Sequence, residues 1–390
     1  MSDKEAQARK QLFLEVKEAY WKHNKIILFE GATGSGKTYA TLRLMKEHIQ
    51  KYGEKWEIIV PTTRLIDEWW SEIKKWKMLT IMKKHVEIYC YSSLHKFSAE
   101  VNVVLDEVHK LSDMRYDYIE DKVYPQSKSV IALSASVTDE VRQKLKVLGI
   151  HGLNTVVYSL DSAVSDDIVA PYKIDVIEFP LDDTTKNIPG GNKSNPFMTT
   201  EMAGYQFMDK QVRRAMSTKN DKFTKFKILE RMRFIYNLPS KLTLAQKILD
   251  ILPQDKKILI FCGSIRQANA ICNHRYHSET DDTDYQKFCK GEILRMSAVN
   301  SIAEGVNIPE LDYILLLQVQ SGKVHLIQKI GRLLRKTSDP QKVGHVIILN
   351  AIGTQDNKWV VRALSSFDQS RITYVSQNQI LQHKKVSNQT

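Results

Sequence analysis

The stretch FEGATGSGKTYA, Phe29 to Ala40, decides the reading of the fold. Gly31, Gly36, Lys37 and Thr38 satisfy the spacing G-x-x-x-x-G-K-[ST], and the apolar run Ile26-Ile27-Leu28-Phe29 stands directly before it. A strand, a glycine loop and a helix from Thr38 to about Gln50 are predicted in that order. Glycines at 31, 34 and 36, with Thr33 and Ser35 between them, let the backbone curl until its N–H groups converge on phosphate oxygens, while the helix points its positive end at them. Lys37 is placed to reach the β- and γ-phosphates and Thr38 to hold Mg²⁺. The bland alternative, a glycine-rich turn that binds nothing, is disfavoured by the strand before the loop and the helix after it.

Outward from this loop, apolar strands alternate with amphipathic helices. A helix over residues 1–24, with Leu12, Val16, Ala19 and Tyr20 on one face, precedes KIILFE, WEIIVPTT, VEIYCYSS, VNVVLDE and SVIALSAS. This rhythm predicts a doubly wound parallel sheet whose strands end in polar residues, where such folds bind ligands. The rhythm fails between about Asp161 and Ser240, where NIPGGNKSNPFMTT reads as an exposed loop. A second alternation then runs through KKILIFCGS, EILRMSA, YILLLQV and GHVIILNAI. The expected architecture is α/β, two doubly wound parallel-sheet lobes: residues 1–165, a basic and partly helical insertion or linker over 166–240, and residues 241–390. The polar end SQNQILQHKKVSNQT is expected to fray.

Bulk properties bound the function. A chain of 390 residues is long for one core, and 42% hydrophobic with 26% charged residues is ordinary for a globular protein. No apolar run is long enough to span a membrane and the first residues, MSDKEAQARK, are polar, so a soluble protein of the cytoplasm is expected. Cys90, Cys262, Cys272 and Cys289 form no C-x-x-C pair and read as reduced structural thiols. His274 and His277 stand three apart in a polar loop, without the further ligands a zinc site needs. The net charge of +12 suggests a polyanionic partner, and its location is informative: Lys186 to Lys241 holds twelve Lys and Arg against four Asp and Glu, eight of those twelve charges. Phe207, Phe223, Phe226, Phe234 and Tyr236 are interleaved there. Two readings stay open, a surface for phosphates and bases, or a solvated helix pair with its aromatics turned to the core.

Two further motifs carry chemistry. VNVVLDEVHK is an apolar strand ending in Asp106-Glu107, where Asp106 would take Mg²⁺ through its water shell and Glu107 would polarise an attacking water. LIQKIGRLLR sets Gln328, Arg332 and Arg335 at i, i+4 and i+7 on one helix face, so that two guanidiniums point together toward developing phosphate charge. A basic surface helix with Ile327, Ile330 and Leu334 inward is the alternative.

In this order the segments resemble a superfamily 2 helicase from about Gln11 to about Asn350. Motif I is Gly31 to Thr38, motif II is DEVH at Asp106 to His109, and motif III is SAS at Ser134 to Ser136. VPTTRLIDEW resembles motif Ia, YCYSSLH motif Ic, ILIFCGS motif IV, and SAVNSIAEGVNIP motif V with Glu304, Gly305 and Asn307; Gln328 to Arg335 is motif VI. The resemblance implies two RecA-like lobes with ATP in the cleft between them and nucleic acid across their top. Lys37, Thr38, Asp106 and Glu107 would act from one lobe; Gly305, Asn307, Gln328, Arg332 and Arg335 would complete the site from the other. Gln11 of Arg9-Lys10-Gln11 resembles the residue that reads adenine. Pro61, Thr62 and Arg64, with Ser92 and Ser93, occupy the positions that touch the nucleic-acid backbone in the family.

The P-T-x-x-L-x-x-x-W form of motif Ia and the GRLLRK close are more similar to compact phage branch-migration helicases and repair-type DNA translocases than to DEAD-box RNA helicases. Asn307 departs from the aspartate frequent in motif V, and DEVH from the DEAD form. The resemblance thus implies an ATP- and Mg²⁺-dependent DNA helicase or translocase, monomeric, favouring DNA over RNA and acting on branched or forked junctions. The basic segment, through Arg213, Arg214, Lys222 and Lys225, would substitute for a dedicated DNA-binding domain. An RNA helicase and a non-unwinding ATPase switch or motor subunit are the alternatives.

Overall fold

The computed structural model describes residues 2–32, 34–192, 194–299, 308, 310–319, 326, 330–331, 333–334, 339 and 341–380. The chain divides into two compact units, one of residues 1–170 with 327–336 and one of residues 171–326 with 337–390.

In the first unit six strands form one parallel sheet: β1 Ile26–Gly31, β2 Trp56–Val60, β3 Val86–Cys90, β4 Val101–Leu105, β5 Ser127–Ser134 and β6 Thr155–Tyr158, in the spatial order β3-β2-β4-β5-β1-β6. Every residue of β2 and β4 is buried, as strands covered on both faces require. Among the described residues this unit has the helices α1 Asp3–Lys22, α2 Lys37–Tyr52, α3 Thr63–Lys75, α4 Leu79–His85, α5 Asp113–Tyr118, α6 Asp139–Val147 and α7 Leu160–Ser165, and helical residues at 330–331 and 333. α1 starts where the Ser2 side chain accepts from the Glu5 N–H, and it buries Leu12, Phe13, Val16 and Tyr20. Ala19, expected on that face, is only half-buried. Where α1 and α2 meet, buried His48 lies among Tyr20, Trp21, Tyr52 and Trp56, its ring stacked 5.8 Å from that of Trp21.

The second unit has a seven-stranded parallel sheet. Its strands are β7 Tyr172–Phe179, β10 Ile258–Cys262, β11 Arg275–Tyr276, β12 Arg295–Val299, β13 Tyr313–Leu316, β14 Gly344–Ala351 and β15 Ile372–Ser376, in the order β11-β12-β10-β13-β14-β7-β15. Between β7 and β10 the chain builds an antiparallel hairpin, β8 Ile188–Asn192 with β9 Asn195–Thr199, then the helices α8 Glu201–Met216, α9 Asp221–Tyr236 and α10 Pro239–Ile251. α11 Ile265–Ile271, α12 Thr283–Lys290 and α13 Gln355–Leu364 also belong to the unit. Its core gathers Ile177, Phe179, Leu244, Ile248, Ile260, Leu315 and Leu349 from strands and helices alike. Lys241 of α10 and Asp356 of α13 form a fully buried ion pair at 2.7 Å, Asp356 also accepting the Ala351 N–H.

Two parallel-sheet α/β lobes were expected and are present. Within the stretch 166–240, read as an insertion or linker, β7 pairs with β14 over eight positions and with β15 over five, which makes that strand part of the second sheet. NIPGGNKSNPFMTT, read as an exposed loop, is a hairpin, its Gly and Pro tolerated because this two-stranded ribbon has no central strand to interrupt. The chain continues past β14 into α13 and β15 before the end that was expected to fray. His277 is buried and bonded to Asn269 at 3.1 Å while His274 meets Asp284, and the described residues contain no cluster able to hold a metal ion. None of the four cysteines is in a disulfide among the described residues, and Cys90 and Cys262 are buried.

Candidate nucleotide site and basic helical face

Parallel strands deliver their C-terminal ends to one edge, and in the first unit three adjacent ends carry the expected chemistry. β5 lies between β1 and β4; Glu30 is level with Ser134, and Leu105, just before Asp106, is level with Ala132. From this edge the loop after β1 enters α2 through Gly34 and Gly36, whose φ angles of 85° and 98° belong to the left-handed region that glycine reaches without cost. Ser35 is fully buried, and its hydroxyl has no hydrogen-bond partner among the described residues. The Lys37 ammonium turns back onto the loop and donates to the Gly31 carbonyl, with the Ala32 carbonyl at 3.5 Å. Burial holds that ammonium below the usual lysine range, against the opposing charges of Glu107, Asp106 and Glu30. Thr38 follows in the first turn of α2, half-buried.

The DEVH carboxylates are held individually. Trp69 of α3 donates its Nε1–H to Asp106 Oδ2 at 2.9 Å, and the Tyr91 hydroxyl donates to the Asp106 carbonyl at 2.8 Å. Burial first, and the Glu107 charge second, push the Asp106 carboxyl up to about 7, against the Trp69 hydrogen bond and the Lys37 charge. Glu107 has φ 50°, a left-handed conformation uncommon for a non-glycine residue, and its Oε2 is buried without a hydrogen bond among the described residues, 3.3 Å from His109 Nδ1. His109 Nδ1 also lies 2.9 Å from Ser134 Oγ. Because Ser134 gives its proton to the Ser136 carbonyl at 2.7 Å, Nδ1 is assigned as the donor to Ser134. The DEVH and SAS segments are thus joined through one imidazole.

These residues fit a nucleotide with its cation. The left-handed glycine loop presents N–H groups at a helix N-terminus, the Ser35 hydroxyl, without a partner among the described residues, lies within that loop, and a buried and a half-buried carboxylate beside a lysine suit a bound dication. The GRLLR stretch reaches the same loop: a Cβ on Gly34 would lie 3.8 Å from the Gly331 carbonyl, and the Leu334 carbonyl accepts from the Ala170 N–H at 2.9 Å. Ile330, Leu333 and Leu334 are buried. Thr33, Gly305, Asn307, Gln328, Arg332 and Arg335 lie outside the described residues.

Other expected residues fall as follows. Gln11 is exposed and donates to Glu15 at 3.1 Å, whereas Arg9, which the sequence reading did not select, lies against the loop: a Cβ on Gly36 would stand 2.7 Å from its Nη1. Arg9 is ion-paired to Glu5 at 3.0 Å. Pro61, Thr62 and Arg64 follow β2, and Ser92 and Ser93 follow β3, along the same sheet edge as Gly31 and Asp106. Sequence reasoning also missed Trp69, whose only sequence signal was a tryptophan at fixed distance from Pro61-Thr62. It missed Glu30 as well, buried, accepting from the Val137 N–H at 3.0 Å and paired with Arg142.

In the second unit the interleaved aromatics divide. Tyr236 is buried and Phe234 packs on the core, while Phe207, Phe223 and Phe226 are exposed. Arg213 is exposed but paired with Asp209 at 2.6 Å; Arg214, Lys222 and Lys225 are exposed and make no ion pair among the described residues.

The family model described as "Type III restriction enzyme, res subunit" matches residues 2–92, and "Helicase conserved C-terminal domain" matches residues 240–337. These two matches, with the curated relative named below, indicate a superfamily 2 helicase. As such the helicase is an ATP hydrolase. A curated relative, the DNA 3'-5' translocase XPB2 of Sulfurisphaera tokodaii, is 23% identical over 333 residues, spanning 78% of this chain and 73% of that protein. Among solved structures, the helicase resembles the Hef helicase domain of Pyrococcus furiosus with TM-score 0.51 at 17% identity, covering 90% of this chain and 96% of that one. It resembles the type ISP restriction-modification enzyme LlaBIII, solved bound to DNA, with TM-score 0.61 at 14% identity, covering 96% of this chain and 31% of that one. Dbp5 of S. cerevisiae, bound to RNA and ADP BeF3, gives 0.59 at 12% identity, covering 100% of this chain and 97% of that one. At these identities the likeness to solved structures is one of fold.

Proposed function

We propose that the helicase converts ATP hydrolysis into movement along DNA and acts on branched or forked DNA in replication, recombination or repair, in the cytoplasm. The observation that carries this reading is the convergence on one sheet edge of the glycine loop, the DEVH carboxylates and the SAS serine, with the GRLLR stretch against Gly34. The translocase relative supports DNA over RNA.

In this reading the loop from Gly31 to Thr38 cradles the phosphates, and Thr38 and Asp106 hold Mg²⁺, partly through water; the cation supplies charge neutralisation on the phosphates. Glu107, fixed by its left-handed backbone next to His109, orients and polarises the attacking water. Gln11 reads adenine. Gly305, Asn307, Gln328, Arg332 and Arg335 sense the γ-phosphate, the two arginines offering planar donors to charge that develops during transfer. Pro61, Thr62, Arg64, Ser92 and Ser93 meet the nucleic-acid backbone. The chain acts as a monomer.

The test is the steady-state ATPase rate of the purified protein alone and with single-stranded DNA, forked DNA or duplex RNA at one salt concentration, paired with strand displacement on the fork. Stimulation by DNA with displacement is the expected result. Stimulation by RNA alone would make it an RNA helicase, and hydrolysis without displacement would make it a switch or motor subunit.

A further inference from the structure

The solvent sides of α8 and α9 carry aromatic rings together with cations that make no ion pair among the described residues. Three contacts fix the antiparallel register of the two helices: Phe234 against Gly204, where a Cβ would lie 2.8 Å from the ring, Arg231 with Asp209, and the Thr224 hydroxyl donating to the Ala215 carbonyl at 3.0 Å. In that register Phe207 stands level with Arg233, Lys210 with Leu229, and Arg214 with Phe226. Phe207 is 57% exposed and Phe226 52%. Lys210, Arg214, Lys222 and Lys225 are exposed and make no ion pair among the described residues. Two of the rings share one cation: the Lys227 ammonium, paired with Glu230, lies 5.6 Å from the ring centre of Phe223 and 5.3 Å from that of Phe226.

Two adjacent helices that leave several large apolar side chains in water form a docking surface, and the chemistry of this one selects its occupant. An apolar protein partner would meet a row of uncompensated cations. Duplex DNA would satisfy the cations and leave the rings idle, since its bases are stacked inside. A single strand offers phosphates and bare base faces in alternation, which is the pattern of this face. We propose that the α8–α9 face binds unpaired nucleotides, with bases stacked on Phe207 and Phe226 and phosphates on Lys210, Arg214, Lys222 and Lys225. This rests on the nucleic-acid reading above and adds to it a surface that selects single strands.

The experiment is fluorescence anisotropy with one labelled mixed-sequence DNA, offered as a single strand and as a blunt duplex, over a series of salt concentrations. The variant Phe207→Ala with Phe226→Ala is expected to weaken single-strand binding about tenfold or more. Its duplex affinity and its salt slope should stay unchanged, because the slope counts phosphates rather than stacked bases. Phe207→Trp with Phe226→Trp should restore single-strand affinity, and both variants should keep the parent thermal midpoint, since these rings are exposed. Equal losses for single strand and duplex would overturn the inference. So would unchanged single-strand affinity in the alanine variant, which would leave the face to a protein partner. A parent protein that binds neither DNA, with no stimulation of its ATPase, would overturn both this inference and the function on which it rests.

Discussion

Asp106 is held from two sides, its carboxylate by the Trp69 indole and its carbonyl by the Tyr91 hydroxyl. The indole therefore positions an expected cation ligand without touching nucleotide. Trp69→Phe keeps the packing and removes one charged hydrogen bond; the Mg²⁺ concentration for half-maximal ATPase should rise about tenfold or more, with Mg²⁺-free nucleotide affinity unchanged. A fluorescent ATP analogue titrated with and without Mg²⁺ checks both halves. At Lys37 the expected outcome is sharper: Lys37→Ala abolishes phosphate release while the thermal midpoint holds or rises, because the variant no longer buries an ammonium. That Lys37, Thr38, Asp106 and Glu107 would gather at the strand ends was legible from spacing alone. Trp69 and His109 were not readable as positioning groups, because their roles depend on which strands become neighbours. His109 reaches Ser134 only because β5 lies next to β4.

Helix pairs carry the next predictions. At the α1–α2 contact, burial lowers the His48 imidazole to about 4, with Glu54 opposing this and Lys25, Lys128 and Lys51 reinforcing it. A folded-state value below the unfolded value of 6.5 means that the unfolded chain binds the proton more readily, so stability is full above that value and is lost as pH falls toward about 4. Between pH 7 and pH 4.5 the loss from this group is on the order of 2 kcal/mol. His48→Phe, which keeps a ring against Trp21, should flatten that dependence in denaturant titrations. Between α10 and α13, Asp356→Ala strands the buried Lys241 ammonium and should cost about 3–5 kcal/mol, while Lys241→Met with Asp356→Leu should return to within about 1 kcal/mol of the parent. Urea unfolding of the full chain reads both. The strand and helix periods of the two alternations were plain in the sequence. β7 was not, because Lys173, Asp175 and Glu178 break its apolar run.

For the whole molecule, eight of the twelve net charges lie between Lys186 and Lys241, inside a unit that also owns a full parallel sheet. Neutralising Arg213, Arg214, Lys222 and Lys225 should lower the salt slope of single-strand binding by about 2, at roughly 0.7 for each released cation, with Arg213 contributing little because Asp209 already pairs it. Unchanged affinity and slope would deny the segment its role. The sequence showed this charge and two α/β lobes, but it did not show where the basic segment is rooted, since its attachment depends on a strand pairing with partners far along the chain. That attachment has a mechanical consequence. The chain leaves the second sheet at β7 and re-enters at β10, and β7 is gripped by parallel neighbours on both sides. A tug on α8 and α9 is thus delivered to β7 along its length, loading its ladders in shear, where many hydrogen bonds must yield together. The appendage is a handle welded to its lobe, not a tether.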